Sequence, residues 1–120
     1  MHRLKTGALI RASVLMAATC APNLSADAWD ALEGYSQDIG LAFQIQDDIL
    51  DIEGKTEEIG KTSGADAARA KPTYPSVLGL EAAKSRAREL RERASQRLAP
   101  LGAQANVLDW LASYVIQRRV

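Results

Sequence analysis

Near the middle of the chain lies the stretch FQIQDDILD, residues 43–51, which carries three aspartates inside an apolar run. Asp47 and Asp51 are four residues apart, and Asp48 and Asp51 are three apart. On a helix both spacings place the side chains on one face. Gln44 lies one turn before Asp48 and shares that face. The stretch therefore predicts a helix that presents a row of oxygen-bearing side chains on one side.

The three aspartates carry an energetic cost in a helix. Like charges at such spacings repel, aspartate is a poor helix former, and the macrodipole disfavours negative charge near a helix C-terminus. A bound cation would offset this cost, and carboxylates without a nearby His or Cys suit a hard ion such as Mg²⁺. The spacing alone leaves an equal alternative, which is a solvated acidic helix end.

Composition and charge limit the classes of protein that fit the sequence. The 120 residues are 47% apolar, which indicates one globular domain with a modest core. The 15 basic and 15 acidic residues give no net charge, so we expect no nucleic-acid partner and no anionic membrane surface. The single cysteine, Cys20, excludes an internal disulfide and fits a cytoplasmic location. Since His2 is the only histidine, a Ser-His-Asp or His-metal site is not expected.

The N-terminal region has only a superficial likeness to a secretory signal. Basic residues precede an apolar stretch, but Arg11 interrupts it, and the longest apolar run after Arg11, residues 14–18, is short. We therefore expect neither a signal peptide nor a membrane span, which needs about 20 consecutive apolar residues.

Helical periodicity throughout the chain predicts an all-α bundle with about four helices and no strand. Residues 3–21 are apolar almost all round, which predicts a buried helix. A long second helix is expected to begin at a cap formed by Ser25 or Asn23 and to end at Gly54.

A long loop is predicted at about residues 53–73, after the aspartates. Loops of this length in a compact domain are usually functional or disordered. Three glycines and four basic residues lie within it, which favours a flap that faces an anion. Lys61 and Lys71 are its best candidates for binding phosphate.

Two further helices are predicted after this loop. The first is capped by Thr73 and kinked at Gly79, and we interpret its many arginines as solvated and paired with glutamates. Asn106 is the predicted cap of the last helix. Arg118 and Arg119 suit the negative end of that helix's dipole.

Two known ion-binding motifs fail on spacing. A P-loop beginning at Gly54 would have one residue too many before Gly60 and Lys61, and it would follow a helix where a strand is needed. In an EF-hand with Gly54 sixth, Ile49 would be first and Gly60 twelfth, so the acidic ligands are absent from those positions.

Several stretches together resemble the trans-isoprenyl diphosphate synthases, also called the polyprenyl synthetase family. GLAFQIQDDILD (40–51) resembles their second aspartate-rich motif, and KTGALI (5–10) resembles their lysine–threonine helix. Gly-Lys at 60–61 and KPTYP at 71–75 resemble the lysine flap that follows the aspartates. Among these synthases the chain is most similar to the bacterial farnesyl and geranyl diphosphate synthases. The implied fold is the all-α isoprenoid synthase bundle.

The resemblance covers residues 1–120 but implies only the C-terminal portion of one synthase domain. A whole member is more than twice this length, and its first half carries another aspartate-rich motif and the basic residues that hold isopentenyl diphosphate. We therefore expect the chain to be inactive alone and to oligomerise or aggregate through uncovered apolar surface. The complete enzyme is expected to be a homodimer. The sequence leaves the length of the product open.

The implied chemistry is a Mg²⁺-dependent prenyl transfer that condenses an allylic diphosphate with isopentenyl diphosphate to make farnesyl or a similar short-chain diphosphate. The resemblance assigns Mg²⁺ binding to Asp47, Asp48 and Asp51, and binding of the substrate diphosphate to Lys5, Lys61 and Lys71. It places Lys5, Thr6 and Gln44 at the reacting centre and Phe43 in the isopentenyl pocket. It also places Arg118 and Arg119 in the neighbourhood of a diphosphate.

Two other functions fit the same residues. The chain could be a non-catalytic helical module that binds Mg²⁺-diphosphate or pairs with a separate N-terminal half. It could also be a plain structural bundle whose aspartates and lysines are surface charges, although the matched order of the motifs disfavours this interpretation. For Phe43, ordinary core packing is an equal alternative to lining a pocket.

Overall fold

Four α-helices and one short 3₁₀ segment make up the described chain. The computed structural model describes residues 2–58 and 79–118, and the side chains of 6–54 and 79–118. These residues contain no strand, so the predicted all-α fold is confirmed, and none of their helices is long and apolar enough to cross a membrane. The elements are α1 (His2–Thr19), α2 (Ala26–Glu58), α3 (Leu80–Arg97), the 3₁₀ segment (Ala99–Ala105) and α4 (Asn106–Gln117).

Helix α2 is the central element, since every other described element packs against it. Apolar side chains recur along one of its faces at three- and four-residue steps, and that face is buried against α3. The facing side of α3 is mostly alanine, which lets the two helix axes approach closely. The core contains Tyr35, Ile39, Ala42, Ile45 and Ile49 of α2, Ala83, Ala87, Leu90 and Ala94 of α3, and Leu98, Ala105, Ala112 and Val115.

Helix α1 runs antiparallel to α2 along a second side of that helix. Near one end, Arg11 forms an ion pair with Glu33. Towards the other end the two backbones come close, because a Cβ on Gly40 would lie 3.6 Å from the Cα of Gly7. The two glycines therefore permit the helices to touch at the end that leads to the aspartates.

The apolar composition of the first helix predicts burial, which is not met in this chain, whereas the expected uncovered apolar surface is present on this helix. Of the α1 side chains that the structure describes, only Ala18 is buried, while Leu9 is 67% and Met16 is 69% exposed. The reason is that, among the described elements, α1 packs against α2 alone. Its remaining apolar surface faces solvent.

The C-terminal end of α2 differs from the prediction. The helix continues to Glu58, so the first residues of the predicted 53–73 loop are helical, and the rest, 59–73, lie outside the described residues. A single mid-helix glycine such as Gly54 costs only about 1 kcal/mol and does not have to end a helix.

The remaining boundaries divide between confirmed and corrected predictions. Ser25 caps α2, since its Oγ accepts a hydrogen bond of 3.0 Å from the Ala28 N–H. Gly79 does not kink α3 but precedes it with φ of 91°, a conformation that favours glycine, and the predicted cap Thr73 lies outside the described residues. Asn106 is the first residue of α4, and Ala105 occupies the cap position with no side-chain hydrogen bond.

An ion-pair cluster joins the middle of α2 to the end of α3. The carboxylate of Asp38 is only 5% exposed and accepts from Arg97 Nε at 2.6 Å and Arg93 Nη2 at 3.2 Å. Arg93 and Arg97 are therefore exposed, as predicted, but they pair with an aspartate of α2 and not with nearby glutamates. Arg97 crosses Gly34 to reach Asp38, because a Cβ at Gly34 would lie 2.6 Å from Arg97 Cδ and 2.8 Å from its Cζ.

A buried tyrosine connects α2 to the start of α4. The Tyr35 hydroxyl donates a hydrogen bond of 2.7 Å to the carbonyl oxygen of Leu108. Burial, and after it the charge of Asp109, raises the pKa of Tyr35 well above its ordinary value, so the hydroxyl stays protonated and remains a donor.

The close passage of Arg97 across Gly34 gives a test of the ion-pair cluster. We expect Gly34→Ala to lower the free energy of unfolding by up to about 1 kcal/mol. The new methyl group displaces Arg97 from the buried carboxylate, which costs about 1–2 kcal/mol, and the gain in helix propensity offsets part of this loss. The control is Gly54→Ala, where no described atom lies within 4 Å and the gain in helix propensity should raise stability by up to about 1 kcal/mol. Thermal unfolding followed by circular dichroism measures both, and equal shifts in Tm would contradict the clash.

The tyrosine hydrogen bond gives a second test. We expect Tyr35→Phe to destabilise the fold by about 1 kcal/mol, because it leaves the Leu108 carbonyl without its donor. Tyr114, whose residue is 49% exposed, provides the matched control, and Tyr114→Phe should be nearly neutral. Urea denaturation of the two variants makes the comparison, and a neutral Tyr35→Phe would show that the bond contributes nothing.

Candidate functional site

The predicted row of oxygen-bearing side chains lies near the C-terminal end of α2. Asp47 and Asp51 are exposed, with 55% of the Asp47 side chain accessible, whereas Asp48 is half-buried and Gln44 is buried. Thus two carboxylates reach solvent from the side of α2 that does not form the core.

These aspartates do not form a closed metal cage by themselves. Among the described side chains, those of residues 6–54 and 79–118, no group of three or more His, Cys, Asp or Glu is close enough to hold a metal ion. Mg²⁺ rarely needs such a cage, because it usually binds one or two carboxylates and completes its shell with water and phosphate oxygens. The exposed carboxylates, which are all-oxygen donors, fit Mg²⁺ in that mode.

The N-terminal turn of α1 lies beside the same part of α2. Since Gly7 is opposite Gly40 and the helices are antiparallel, Lys5 and Gln44 are displaced from that contact in the same direction. At 1.5 Å per residue, their backbones are within about 3 Å of each other along the axis. Thr6 is half-buried in this region, whereas the side chain of Lys5 lies outside the described side chains. The fold thus brings the lysine–threonine turn to the level of Gln44.

The other two predicted phosphate ligands are not located. Lys61 and Lys71 both lie in 59–78, outside the described residues, so their contribution stays a prediction.

Arg118 is a neighbour of the aspartates that residue spacing did not reveal. Its guanidinium carbon lies 4.3 Å from the centre of the Phe43 ring, and its Nη2 is 3.5 Å from the Phe43 carbonyl oxygen. The same nitrogen is 3.8 Å from Asp47 Oδ1. Gln46 Nε2 donates to the Arg118 carbonyl oxygen at 3.4 Å, which seats the C-terminal segment on α2. A planar guanidinium suits such combined stacking and charge pairing better than an ammonium group does.

Phe43 therefore has two roles that the sequence could not separate. It is half-buried and packs against the core, and its ring also supports the Arg118 guanidinium. The sequence by itself favours a dipole role for Arg118, because nothing local connects it to a residue 75 positions earlier. The one sequence signal was the resemblance, which placed it near a diphosphate.

Comparison with known proteins agrees with these motifs. The family model described as polyprenyl synthetase matches residues 1–109. The chain is 49% identical to the farnesyl diphosphate synthase of Escherichia coli (strain K12) over 98% of this chain and 40% of that protein. It is 42% identical to the dimethylallyltranstransferase of Fischerella ambigua over 98% of this chain and 34% of that protein.

A solved structure supports the same fold. A putative farnesyl-diphosphate synthase from Marinomonas sp. MED121 superposes with a TM-score of 0.75 at 37% identity, over 94% of this chain and 36% of that one. The chain thus spans about 40% or less of the length of these relatives. Since the family model covers most of the sequence and the described helices follow a synthase structure, the chain belongs to the polyprenyl synthetase family.

Proposed function

We propose that this chain supplies the second aspartate-rich wall of a prenyltransferase that condenses an allylic diphosphate with isopentenyl diphosphate. The observation that carries the proposal is the arrangement at one end of α2, where the α1 turn bearing Lys5 and Thr6 lies at the level of Gln44, and exposed Asp47 and Asp51 follow Gln44 by about one and two helical turns. The named activities of the E. coli and Fischerella relatives support the reaction class.

The proposed metal is Mg²⁺, bound by Asp47, Asp48 and Asp51. When bound, Mg²⁺ would supply Lewis-acid chemistry that neutralises the diphosphate and makes it a better leaving group. The exposed carboxylates of Asp47 and Asp51 are the residues best placed to hold it, while the half-buried Asp48 is more restricted. The oxygen-only donor set supports a hard cation and not zinc or iron.

The remaining residues would act on the substrates. Lys5, with Lys61 and Lys71, would hold the allylic diphosphate through point charges. As that diphosphate leaves, positive charge develops on the allylic carbons. Oxygen lone pairs of Thr6 and Gln44 would stabilise that charge, and the buried position of Gln44 makes its dipole more effective than it would be in water.

Phe43 would line the isopentenyl pocket from the neighbouring side of α2. The Arg118 guanidinium already covers part of its ring and carries positive charge to within 3.8 Å of Asp47 Oδ1. The positive charge of Arg118 at this position, in addition to that of Lys5, would favour binding of a negatively charged substrate, which supports the proposed arrangement.

A second candidate function is a non-catalytic module that pairs with another polypeptide. The observation favouring it is the apolar outer face of α4, where Val107 is 74%, Trp110 is 63% and Tyr114 is 49% exposed. Such a face is typical of an interaction surface. The homodimer predicted for a complete enzyme stays a prediction.

Calorimetry tests the metal-binding part of the proposal. We expect the full 120-residue chain to bind inorganic diphosphate in the presence of Mg²⁺, and Asp47→Asn to weaken this binding about tenfold because a charged ligand oxygen is lost. The control is Asp30→Asn, an exposed aspartate of α2 several turns away. Equal effects of the two substitutions, or no effect of Asp47→Asn, would remove Asp47 from the site.

Turnover distinguishes the two candidate functions. We expect no condensation of labelled isopentenyl diphosphate with an allylic diphosphate by the chain alone, and product when the portion of the E. coli enzyme that this chain does not match is supplied. Product from the chain alone would contradict the expected inactivity. A mixed assembly that forms but stays inactive would favour the non-catalytic module. The Asp47→Asn chain in the same mixture controls for activity of the added portion.

A further inference from the structure

A polar groove lies between α2, α3 and the C-terminal segment, which comprises the end of α4 and Arg118. Its volume is about 230 Å³, and it is open to solvent on one side. Apolar side chains of all three elements form its floor, and charged and amide groups form its rim. The lining consists of Ile49, Leu50, Ala87 and Ile116 on the floor, with Gln46, Glu53, Lys84, Arg88, Gln117 and Arg118 around it.

The groove is on a different side of α2 from the proposed metal site. The α2 residues that line it, at 46, 49, 50 and 53, follow steps of three, one and three, which define one helix face. At about 100° per residue, the centre of that face is roughly 160° from the centre of the face formed by Gln44 and the three aspartates. The two sites therefore lie on nearly opposite faces of α2, and Arg118, which lines the groove and is also 3.8 Å from Asp47 Oδ1, lies between them.

Positive charge is concentrated in the groove. Three cations and one carboxylate line it, which leaves two net positive charges in a chain whose total is zero. The carboxylate, Glu53, accepts from Lys84 Nζ at 2.6 Å across α2 and α3. Arg118 is only 11% exposed, so its charge is partly shielded from water and acts more strongly within the groove.

The groups on the rim match the chemistry of a phosphate. Arg88 offers a guanidinium, a group that binds phosphate oxygens in pairs, and Lys84 adds a point charge. The amides of Gln46 and Gln117 bring further polar atoms to the rim. The apolar floor lowers the local dielectric, which strengthens such charge-assisted hydrogen bonds.

We propose that this groove binds a small anion that bears a phosphate or diphosphate group, without a metal ion. Lys84 and Arg88 are its charged ligands, Arg118 adds positive charge at its edge, and the apolar floor accommodates the non-ionic part of the molecule. None of the three aspartates lines the groove, so its occupation does not require Mg²⁺.

The test is titration of the full chain with inorganic diphosphate in excess EDTA, followed by calorimetry and by amide shifts in nuclear magnetic resonance spectra. We expect saturable binding, with shifts at Ile49, Ala87 and Gln117. Arg88→Gln should weaken it about tenfold, since one charge-assisted contact is lost, and Lys84→Gln should do the same. No metal-free binding, or shifts confined to residues outside the groove, would overturn the proposal.

The matched control is Arg86→Gln on the same helix. Arg86 pairs with Glu89 at 3.2 Å and does not line the groove, so this variant should bind diphosphate in EDTA like the unaltered chain. Arg88 is exposed, so its replacement leaves the core intact, and an unchanged Tm verifies the fold. If Arg86→Gln weakens metal-free binding as much as Arg88→Gln, the binding is non-specific attraction to α3 and the proposal fails.

Two further arms separate this site from its alternatives. Arg88→Gln should retain Mg²⁺-dependent diphosphate binding, and loss of both modes together would show that there is one site and not two.

Sedimentation with phosphatidylcholine vesicles containing phosphatidic acid tests a lipid headgroup as the source of the phosphate. We expect no association with these vesicles, and binding to them without binding of soluble diphosphate would overturn a free small anion as the ligand.

Discussion

The ion pairs of Asp38 hold α2 and α3 together. Helix α2 buries one face against α3, and another of its faces stays in solvent. The buried carboxylate binds two α3 arginines, and Gly34 leaves the space through which Arg97 reaches it. Because both partners of a buried charge must be present, the contact favours one axial alignment of α2 and α3 over its neighbours. The aspartates, the groove and the seat of the C-terminal segment all lie on α2 and depend on this alignment.

Periodicity in the sequence was sufficient for the helical class, for the buried face of α2 and for the aspartate row, because each depends on residues within a few turns of one another. Ser25 was identified as a cap for the same reason. The end of α2 could not be identified in this way, since a single glycine such as Gly54 disfavours a helix only weakly and α2 continues through it. The exposure of α1 could not be read from its apolar composition either, because composition does not reveal whether another helix is present to cover the apolar surface.

Contacts between residues far apart in the sequence could not be predicted from periodicity. The α3 arginines looked like a solvated series, yet Arg93 and Arg97 converge on a carboxylate about 55–59 positions earlier. Arg118 reaches Phe43 and Asp47 across a still larger separation in sequence. A pair of charges far apart in sequence gives no periodic signal, so only the family resemblance placed Arg118 near the site. The same arginine also borders the groove, and it thereby connects two regions of opposite polarity on α2.

The length of α2 has a mechanical consequence. The helix has 33 residues and its hydrogen-bonded backbone continues past Gly54, so it behaves as a stiff rod held near its middle by Asp38. Asp51 is 13 residues beyond Asp38, or about 20 Å along the axis. A tilt of only about 3° around that anchor would carry Asp51 through about 1 Å, a displacement that is large on the scale of catalytic positioning. Substitutions in the Asp38 ion-pair cluster can thus displace carboxylates that they do not contact, because a small rotation at the anchor becomes a larger displacement at the end of the helix.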